Sequence, residues 1–240
     1  LGEGKITTSY YLDFGESKIK RLAYAVSFGC DELPQKAADV AKNYTQKFSA
    51  ISVRENSGIK IVEELGYPEP IVLCDPTLLL TSSDYFKLFK SNVDLKEKTV
   101  YNYILRGKDK RVDTLNDLLS NEFKIKSNQK GFISSSMPEW LSNIKHSSLV
   151  VTNSFHGMVF AIIFNRPFIV VAAENLSSSM NGRFTTLLNY LDLEKRFIYK
   201  VEPDIIRDLK NDNIDWPKIQ DKIDRLRQKS FNFFNENLNG

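Results

Sequence analysis

The chain has 240 residues, 42 % of them hydrophobic, which is enough to bury the core of one large domain or of two small ones. Its 33 lysines and arginines nearly balance 30 aspartates and glutamates, giving a formal net charge of +3, so the basic excess of a dedicated nucleic-acid-binding protein is absent. The two cysteines, Cys30 and Cys74, argue against a disulfide scaffold or a thiolate metal site and are expected to be buried free thiols.

Apolar runs in the chain are short. The longest extends from Met158 to Phe164 and is followed by Arg166 and Pro167, well below the roughly 20 residues that cross a bilayer. The opening residues lack the basic and apolar regions of a secretory signal. We therefore expect a soluble, cytoplasmic protein without a membrane span.

Strands and helices alternate in the first part of the chain. The apolar run before Gly29 is typical of a buried strand, and Pro34 suits a first helical position. Apolar residues then recur at three- and four-residue steps, which predicts an amphipathic helix. Strands are predicted at residues 21–28, 50–53 and 71–74, with helices beginning at Pro34 and covering residues 59–65.

Asp75-Pro76 ends the third strand, because proline lacks the donor that a strand ladder needs, and we place a domain boundary there. The alternation continues beyond it and predicts an α/β fold with parallel sheets. We predict a first domain over residues 1–76, a second over 77–213, and a C-terminal amphipathic helix over 214–240 that packs back on the body. In the second domain we predict helix 84–89, strand 99–105, helix 111–119, strand 123–127, helix 138–144, strand 148–152, a helix beginning near Ser154, and strand 168–172.

Two glycine-rich phosphate-binding motifs, Gly-x-Gly-x-x-Gly and Gly-x-x-x-x-Gly-Lys-Ser/Thr, do not occur in the chain. The chain has only two histidines, His146 and His156, and no His/Cys/Asp cluster with metal-ligand spacing. We therefore expect no metal site and look for other groups that could bind a ligand.

The first candidate is the segment Thr152-Asn153-Ser154-Phe155-His156-Gly157, where a buried strand meets an apolar helix. Asn153 or Ser154 can cap this helix, whose first N–H groups would then face an anion at the carboxyl end of the sheet. His156 lies in the first turn and can transfer a proton near neutral pH. A capped helix with a packed histidine is the competing interpretation.

Arginines mark two further candidates. Arg54, followed by Glu55, comes directly after a predicted strand, and its planar donors suit a carboxylate or phosphate; the two residues can equally be the polar end of that strand. Arg183, in Asn181-Gly182-Arg183-Phe184, follows a serine-rich loop and can reach the same crevice, although a mobile surface arginine is an equally good interpretation.

Several segments, in this order, resemble the polysaccharide pyruvyl transferase family. The resemblance extends from about Tyr10 to Phe197, and its most specific part is Ser-Phe-His-Gly followed by a Pro-Phe strand. The segments are Ala23-Tyr24-Ala25-Val26-Ser27-Phe28-Gly29, Ile51-Ser52-Val53-Arg54-Glu55-Asn56-Ser57-Gly58, Asp75-Pro76-Thr77-Leu78-Leu79-Leu80, Thr152-Asn153-Ser154-Phe155-His156-Gly157 and Phe164-Asn165-Arg166-Pro167-Phe168.

The resemblance implies two Rossmann-like domains facing a cleft, as in GT-B glycosyltransferases, and a bacterial enzyme that transfers pyruvate from phosphoenolpyruvate to sugar hydroxyls as a ketal. It assigns donor roles to His156 and Arg54 and, more loosely, a basic position to Arg183. Together with the residue patterns above, we predict Asn153, Ser154, Gly157, Glu55 and Arg183 as further substrate-binding residues. Family members normally begin with an additional segment before the Tyr11–Phe14 stretch, so we expect the first domain to be truncated at its N-terminus.

The implied substrates are phosphoenolpyruvate as donor, with no separate cofactor, and a sugar or lipid-linked glycan as acceptor. His156 is the expected proton-transfer group, and Glu55 is a second choice. Two other functions stay open: a GT-B-type glycosyltransferase that uses a nucleotide sugar, and a non-catalytic glycan-binding or assembly module. An oligomer is also possible, with the Phe-rich tail as a contact.

Overall fold

The computed structural model describes residues 8–88, 98–105, 109–127, 136–172 and 178–238. The chain divides into two compact units. The first unit comprises Leu1–Leu79, Leu176–Leu187 and Ile223–Gly240, and the second comprises Leu80–Asn175 and Leu188–Lys222. This division differs from the predicted domains, because two later segments of the chain return to the first unit.

The strands are short and the helices alternate with them, as the sequence pattern predicts. In chain order the strands and α-helices are β1 (Leu22–Val26), α1 (Gln35–Thr45), β2 (Ala50–Val53), α2 (Ser57–Glu64), β3 (Ile71–Val72), α3 (Ser82–Phe86), β4 (Thr99–Tyr103), α4 (Lys110–Leu119), β5 (Lys124–Ser127), α5 (Met137–His146), β6 (Leu149–Thr152), α6 (Phe155–Ile163), β7 (Phe168–Val171), α7 (Ser178–Leu191), β8 (Phe197–Ile198), α8 (Pro203–Asn211) and α9 (Trp216–Leu238).

The first unit contains a parallel sheet in the order β1-β2-β3, covered on both faces. Side chains alternate along β2, so Ile51 faces α2 and packs with Val62. Ala50 lies on the opposite face and packs with Leu73 and with Phe233 of α9. The part of α9 that carries Phe233 thus packs against this sheet.

A bulge interrupts β1 between Ala23 and Val26, where its register with β2 shifts. Ala25 has a φ of 48°, a left-handed conformation that is costly for any residue with a Cβ. Buried Ser52 compensates, because its Oγ accepts a hydrogen bond from the Ala25 N–H at 2.8 Å and donates to the Ala23 carbonyl at 3.2 Å. Bulges redirect a strand where pairing ends. This bulge lies near the carboxyl end of the sheet, where Arg54 follows β2.

The second unit contains a parallel sheet in the order β5-β4-β6-β7-β8. Helices α4 and α8 cover one face, where Leu115 and Leu209 belong to the same core cluster as Val151 and Ile169. Helices α5 and α6 contact each other, and α5 also contacts β4. The α/β class with parallel sheets is therefore confirmed, and β6 lies in the middle of its sheet.

One segment departs from the sequence-based prediction. No helix is predicted for residues 181–184, which follow the serine-rich loop, but they lie inside the helix α7. Gly182 and the surrounding serine, threonine and asparagine residues have low helix propensity, so local propensity does not predict this helix. Strand β8 and helix α8 were also not predicted. No helix within the described ranges is long and apolar enough to span a bilayer.

Candidate functional site

Arg54 follows β2 at the carboxyl end of the first sheet. Its backbone N–H still donates to the Val26 carbonyl of β1 at 3.1 Å, so the sheet fixes its position. Its side chain is mostly buried, with 16 % exposed. A guanidinium held this way is restrained before any ligand arrives.

Two carboxylates hold the Arg54 guanidinium. Nη1 of Arg54 donates to Oδ2 of Asp75 at 2.5 Å, and Nε lies 3.5 Å from Oε2 of Glu55. Both carboxylates are almost fully buried: 2 % of the Asp75 side chain is exposed, and 3 % of the Glu55 side chain. The contact with Asp75 is a charged hydrogen bond, which is short and directional and fixes one edge of the guanidinium plane, whereas Glu55 lies at ion-pair distance from a second edge.

Glu55 has a structural partner of its own. Its Oε1 accepts a hydrogen bond from the Phe28 N–H at 3.2 Å, which ties the Arg54 turn to the segment after the β1 bulge. A buried carboxylate is stable only when it is paired and hydrogen-bonded, and Glu55 is both. This arrangement favours a role in positioning Arg54.

Arg183 belongs to the first unit as well, because the first part of α7 packs against the start of α2. The Asn56 N–H donates to Oγ1 of Thr186 at 3.2 Å. A Cβ at Gly182 would lie 3.4 Å from Oγ of Ser57, so the two helices approach closely there. Arg183 is half-buried on the segment that contacts the residues just after Glu55.

The second candidate turn connects β6 to α6 in the second unit. Ser154 is the N-cap of α6, and its Oγ accepts a hydrogen bond from the Gly157 N–H at 3.3 Å. Thr152 supports the turn, because its Oγ1 accepts from the Ser154 N–H at 3.0 Å and donates to the Tyr103 carbonyl at 2.6 Å. The sequence left Asn153 and Ser154 as alternative caps, and the structure selects Ser154.

Asn153 instead clamps the loop that follows β4. Its Oδ1 accepts from the Leu105 N–H at 2.7 Å, and its Nδ2 donates to the Leu105 carbonyl at 3.0 Å. A side-chain amide that pairs with both groups of one backbone residue acts like a short piece of sheet. Asn153 therefore joins the carboxyl ends of β4 and β6.

Gly157 allows α6 to lie directly on the sheet. A Cβ at this position would come within 2.5 Å of Thr152 Oγ1 and 3.1 Å of Cδ1 of Tyr103. No real Cβ tolerates the first of these distances, so every larger residue would push the first turn of α6 outward. The glycine is required by this close approach.

His156 is the only exposed residue of α6, whose other residues from Phe155 to Ile163 are all buried. Its ring packs edge-on against Phe155, with 5.5 Å between ring centroids. An exposed imidazole in the first turn of an otherwise buried helix can exchange protons with a ligand at the carboxyl end of the sheet.

A polar network lies behind Asp75 in the first unit. The Tyr24 hydroxyl donates to the Cys74 carbonyl at 2.8 Å, and the Cys74 Sγ lies 3.3 Å from the Ser230 hydroxyl. Burial is the main cause that raises the pKa of Tyr24 above its ordinary value. Tyr24 therefore stays protonated and keeps its hydrogen bond to the strand end that carries Asp75.

The structure distributes the predicted residues over two separate sets. Arg54, Glu55 and Arg183 lie in the first unit. Asn153, Ser154, His156 and Gly157 lie in the second. Among the residues described, no group of three His, Cys, Asp or Glu side chains could hold a metal ion.

Sequence reasoning missed Asp75 as a functional candidate and used it only as a boundary. A signal was available, because Asp75 follows β3, and β3 is the parallel neighbour of β2. The carboxyl ends of parallel neighbours meet at one edge of a sheet. An acidic residue after one strand and a basic residue after the next are therefore candidates for an ion pair.

A comparison with protein-family models finds one match, described as polysaccharide pyruvyl transferase, over residues 2–175. This range includes both the Arg54 turn and the His156 turn. A search of curated proteins found no match.

Solved structures with some similarity include the glycotransferase of kitacinnamycin, at 11 % identity and a TM-score of 0.45, covering 81 % of this chain and 58 % of that one. A structure of the wall teichoic acid polymerase TagF matches at 17 % identity with a TM-score of 0.44, covering 90 % of this chain and 61 % of that one. The chain thus spans less than two thirds of these proteins.

Proposed function

The chain belongs to the polysaccharide pyruvyl transferase family, and from that premise we propose that it transfers pyruvate from phosphoenolpyruvate to sugar hydroxyls of a bacterial capsule, exopolysaccharide or cell-wall glycan. One observation carries the proposal: the family match includes both the Arg54 turn and the His156 turn. Each turn follows a strand of a parallel sheet, at the edge where α/β proteins bind ligands.

Phosphoenolpyruvate carries a carboxylate and a phosphate, so its site needs fixed cationic or N–H donors. Arg54 is our candidate for the donor anion, because it is mostly buried and its orientation is restrained by Asp75 and Glu55. The N-terminus of α6 is a second candidate, since backbone N–H groups and the helix dipole favour an anion there. Arg183 is the third.

The reaction requires proton transfer to carbon. Protonation of the methylene carbon of phosphoenolpyruvate makes its central carbon cationic, and one sugar hydroxyl attacks it with loss of its proton. The bond from this carbon to the phosphate oxygen then breaks, inorganic phosphate leaves, and a second hydroxyl closes the ketal as it loses its proton. His156 is our candidate for this acid, which the attacking hydroxyl's proton then restores.

The test uses the full-length protein with phosphoenolpyruvate and a panel of nitrophenyl hexosides and N-acetylhexosaminides. We expect calorimetric binding of phosphoenolpyruvate and acceptor-dependent release of inorganic phosphate. Binding of a nucleotide sugar with no response to phosphoenolpyruvate would instead establish a glycosyltransferase. No binding of either donor would favour the non-catalytic module.

Replacement of His156 by alanine tests its role separately. General acid catalysis contributes about 10²- to 10⁴-fold, so phosphate release should fall by that factor while phosphoenolpyruvate still binds. His146→Ala is the matched control, because His146 is the other histidine of the chain and its Nδ1 lies 2.8 Å from the Ser142 carbonyl within α5. Near-normal phosphate release by the His156 variant would remove the assignment.

A further inference from the structure

We propose that Asp75 is a positioning residue for Arg54: it sets the orientation of the guanidinium at the cost of some attraction for the donor anion. This inference rests on the proposed function, in which Arg54 binds phosphoenolpyruvate. It begins from the 2.5 Å hydrogen bond between Arg54 Nη1 and Asp75 Oδ2.

The Asp75 carboxylate is itself immobilised. Its Oδ1 accepts two hydrogen bonds from Thr77, one from the backbone N–H at 3.0 Å and one from Oγ1 at 2.7 Å. Its own carbonyl accepts from the Leu78 N–H at 2.9 Å, at the start of the short 3-10 helix Pro76–Leu79. One oxygen is thus fixed by Thr77, which leaves the other aimed at Arg54.

The two carboxylates lie at different edges of the guanidinium. Asp75 binds at Nη1, whereas Glu55 lies at Nε. A planar guanidinium that is hydrogen-bonded at one edge and paired with a second carboxylate at another has less freedom to rotate, so less entropy is lost when it binds an anion. Removal of one carboxylate would restore that rotation.

The negative charge of the two carboxylates, in contrast, weakens binding of the donor anion. The formal charges of the two carboxylates and the one guanidinium sum to −1, which opposes the approach of an anionic donor. A neutral residue at position 75 would bring this sum to zero and strengthen the ground-state attraction. Positioning therefore predicts a specific kinetic signature: kcat falls while the affinity for phosphoenolpyruvate holds or rises.

Part of the backbone around this position is held without the carboxylate. Cys74, the preceding residue, is held by the Tyr24 hydroxyl and lies against Ser230. Asparagine at position 75 keeps the size of aspartate and an oxygen that can accept from Thr77. We therefore expect Asp75→Asn to fold.

The experiment compares Asp75→Asn and Asp75→Glu with the wild-type, full-length protein. In Asp75→Asn, kcat should fall about tenfold or more, while the calorimetric Kd for phosphoenolpyruvate stays equal or decreases. Asp75→Glu restores the charge and should recover part of kcat. Thr77→Val removes one anchor of the carboxylate and should show the same trend to a smaller degree.

Asp212→Asn is the matched control for a purely structural effect. Asp212 pairs with Arg196 through a 2.6 Å hydrogen bond in the second unit, and Arg196 is completely buried. This variant should lose stability without any change in kcat or Kd of the folded protein. If Asp75→Asn behaves in the same way, or shows a weaker Kd together with the lower kcat, the positioning role is wrong.

A second measurement does not depend on phosphoenolpyruvate. Nuclear magnetic resonance of the Arg54 side chain, assigned with Arg54→Lys, reports rotation of the guanidinium. This rotation should be slow in the wild type and faster in Asp75→Asn. Equal rotation in both proteins would overturn the positioning role even if pyruvyl transfer is established, whereas faster rotation without any phosphoenolpyruvate binding would overturn only the proposed function.

Discussion

Gly157→Ala adds a single methyl group where α6 lies closest to the sheet. The new Cβ would be placed 2.5 Å from Thr152 Oγ1, 3.1 Å from Tyr103 Cδ1 and 3.2 Å from Thr152 Cβ. Thr152 has little freedom to move, because its hydroxyl donates to the Tyr103 carbonyl and accepts from the Ser154 N–H. The helix must therefore shift away from β6.

Two opposing effects set the change in the free energy of unfolding of Gly157→Ala. Overpacking of a well-packed site costs about 1–3 kcal/mol. Alanine is a better helix former than glycine and recovers up to about 1 kcal/mol. We expect the free energy of unfolding to fall by up to about 2 kcal/mol, and His156, one residue earlier, to move with the helix.

Urea unfolding followed by circular dichroism measures this difference, and phosphate release from phosphoenolpyruvate measures the displacement of His156. Gly182→Ala is the matched control in α7. Its Cβ would meet only Ser57 Oγ, at an ordinary 3.4 Å, so helix propensity dominates and the variant should be as stable as the wild type or more stable. If Gly157→Ala is no less stable than Gly182→Ala, α6 does not lie as close to β6 as the structure shows.

Two further predictions concern residues that hold the second unit together. Asn153→Ala leaves the N–H and carbonyl of Leu105 without their amide partner and should cost about 1–3 kcal/mol in urea unfolding, whereas an unchanged midpoint would contradict the clamp. Burial acts to raise the pKa of Asp212, but the hydrogen bonds from Lys195 and Arg196 outweigh it and lower the pKa below its ordinary value. This carboxylate therefore adds stability above about pH 4, which is lost as the pH falls through the lowered folded-state pKa. Thermal unfolding between about pH 5 and pH 2 should show a weaker acid-induced loss in Asp212→Asn than in the wild type, and equal losses would contradict the pairing.

Sequence reasoning found most strands and helices because their patterns are local. The apolar run at residues 50–53 predicted β2 with its exact bounds, and apolar spacing predicted α1, α4 and α9. Helix α7 was not predicted from the sequence, because Gly182 and its polar neighbours disfavour a helix locally. Contacts with the start of α2 help to stabilise it. Such contacts join residues far apart in the chain, so no local pattern reveals them.

For the candidate site, too, the sequence identified some features and the tertiary structure decided others. The sequence by itself identified the two turns, Arg54-Glu55 and Asn153 to Gly157, because polar residues directly after buried strands are visible in a linear pattern. Only the tertiary structure assigned Ser154 as the cap, Asn153 as the clamp on Leu105, and Asp75 as the partner of Arg54. The physical reason is that an ion pair or a clamp depends on which strands are neighbours in the sheet, and strand order is decided by packing of the whole unit.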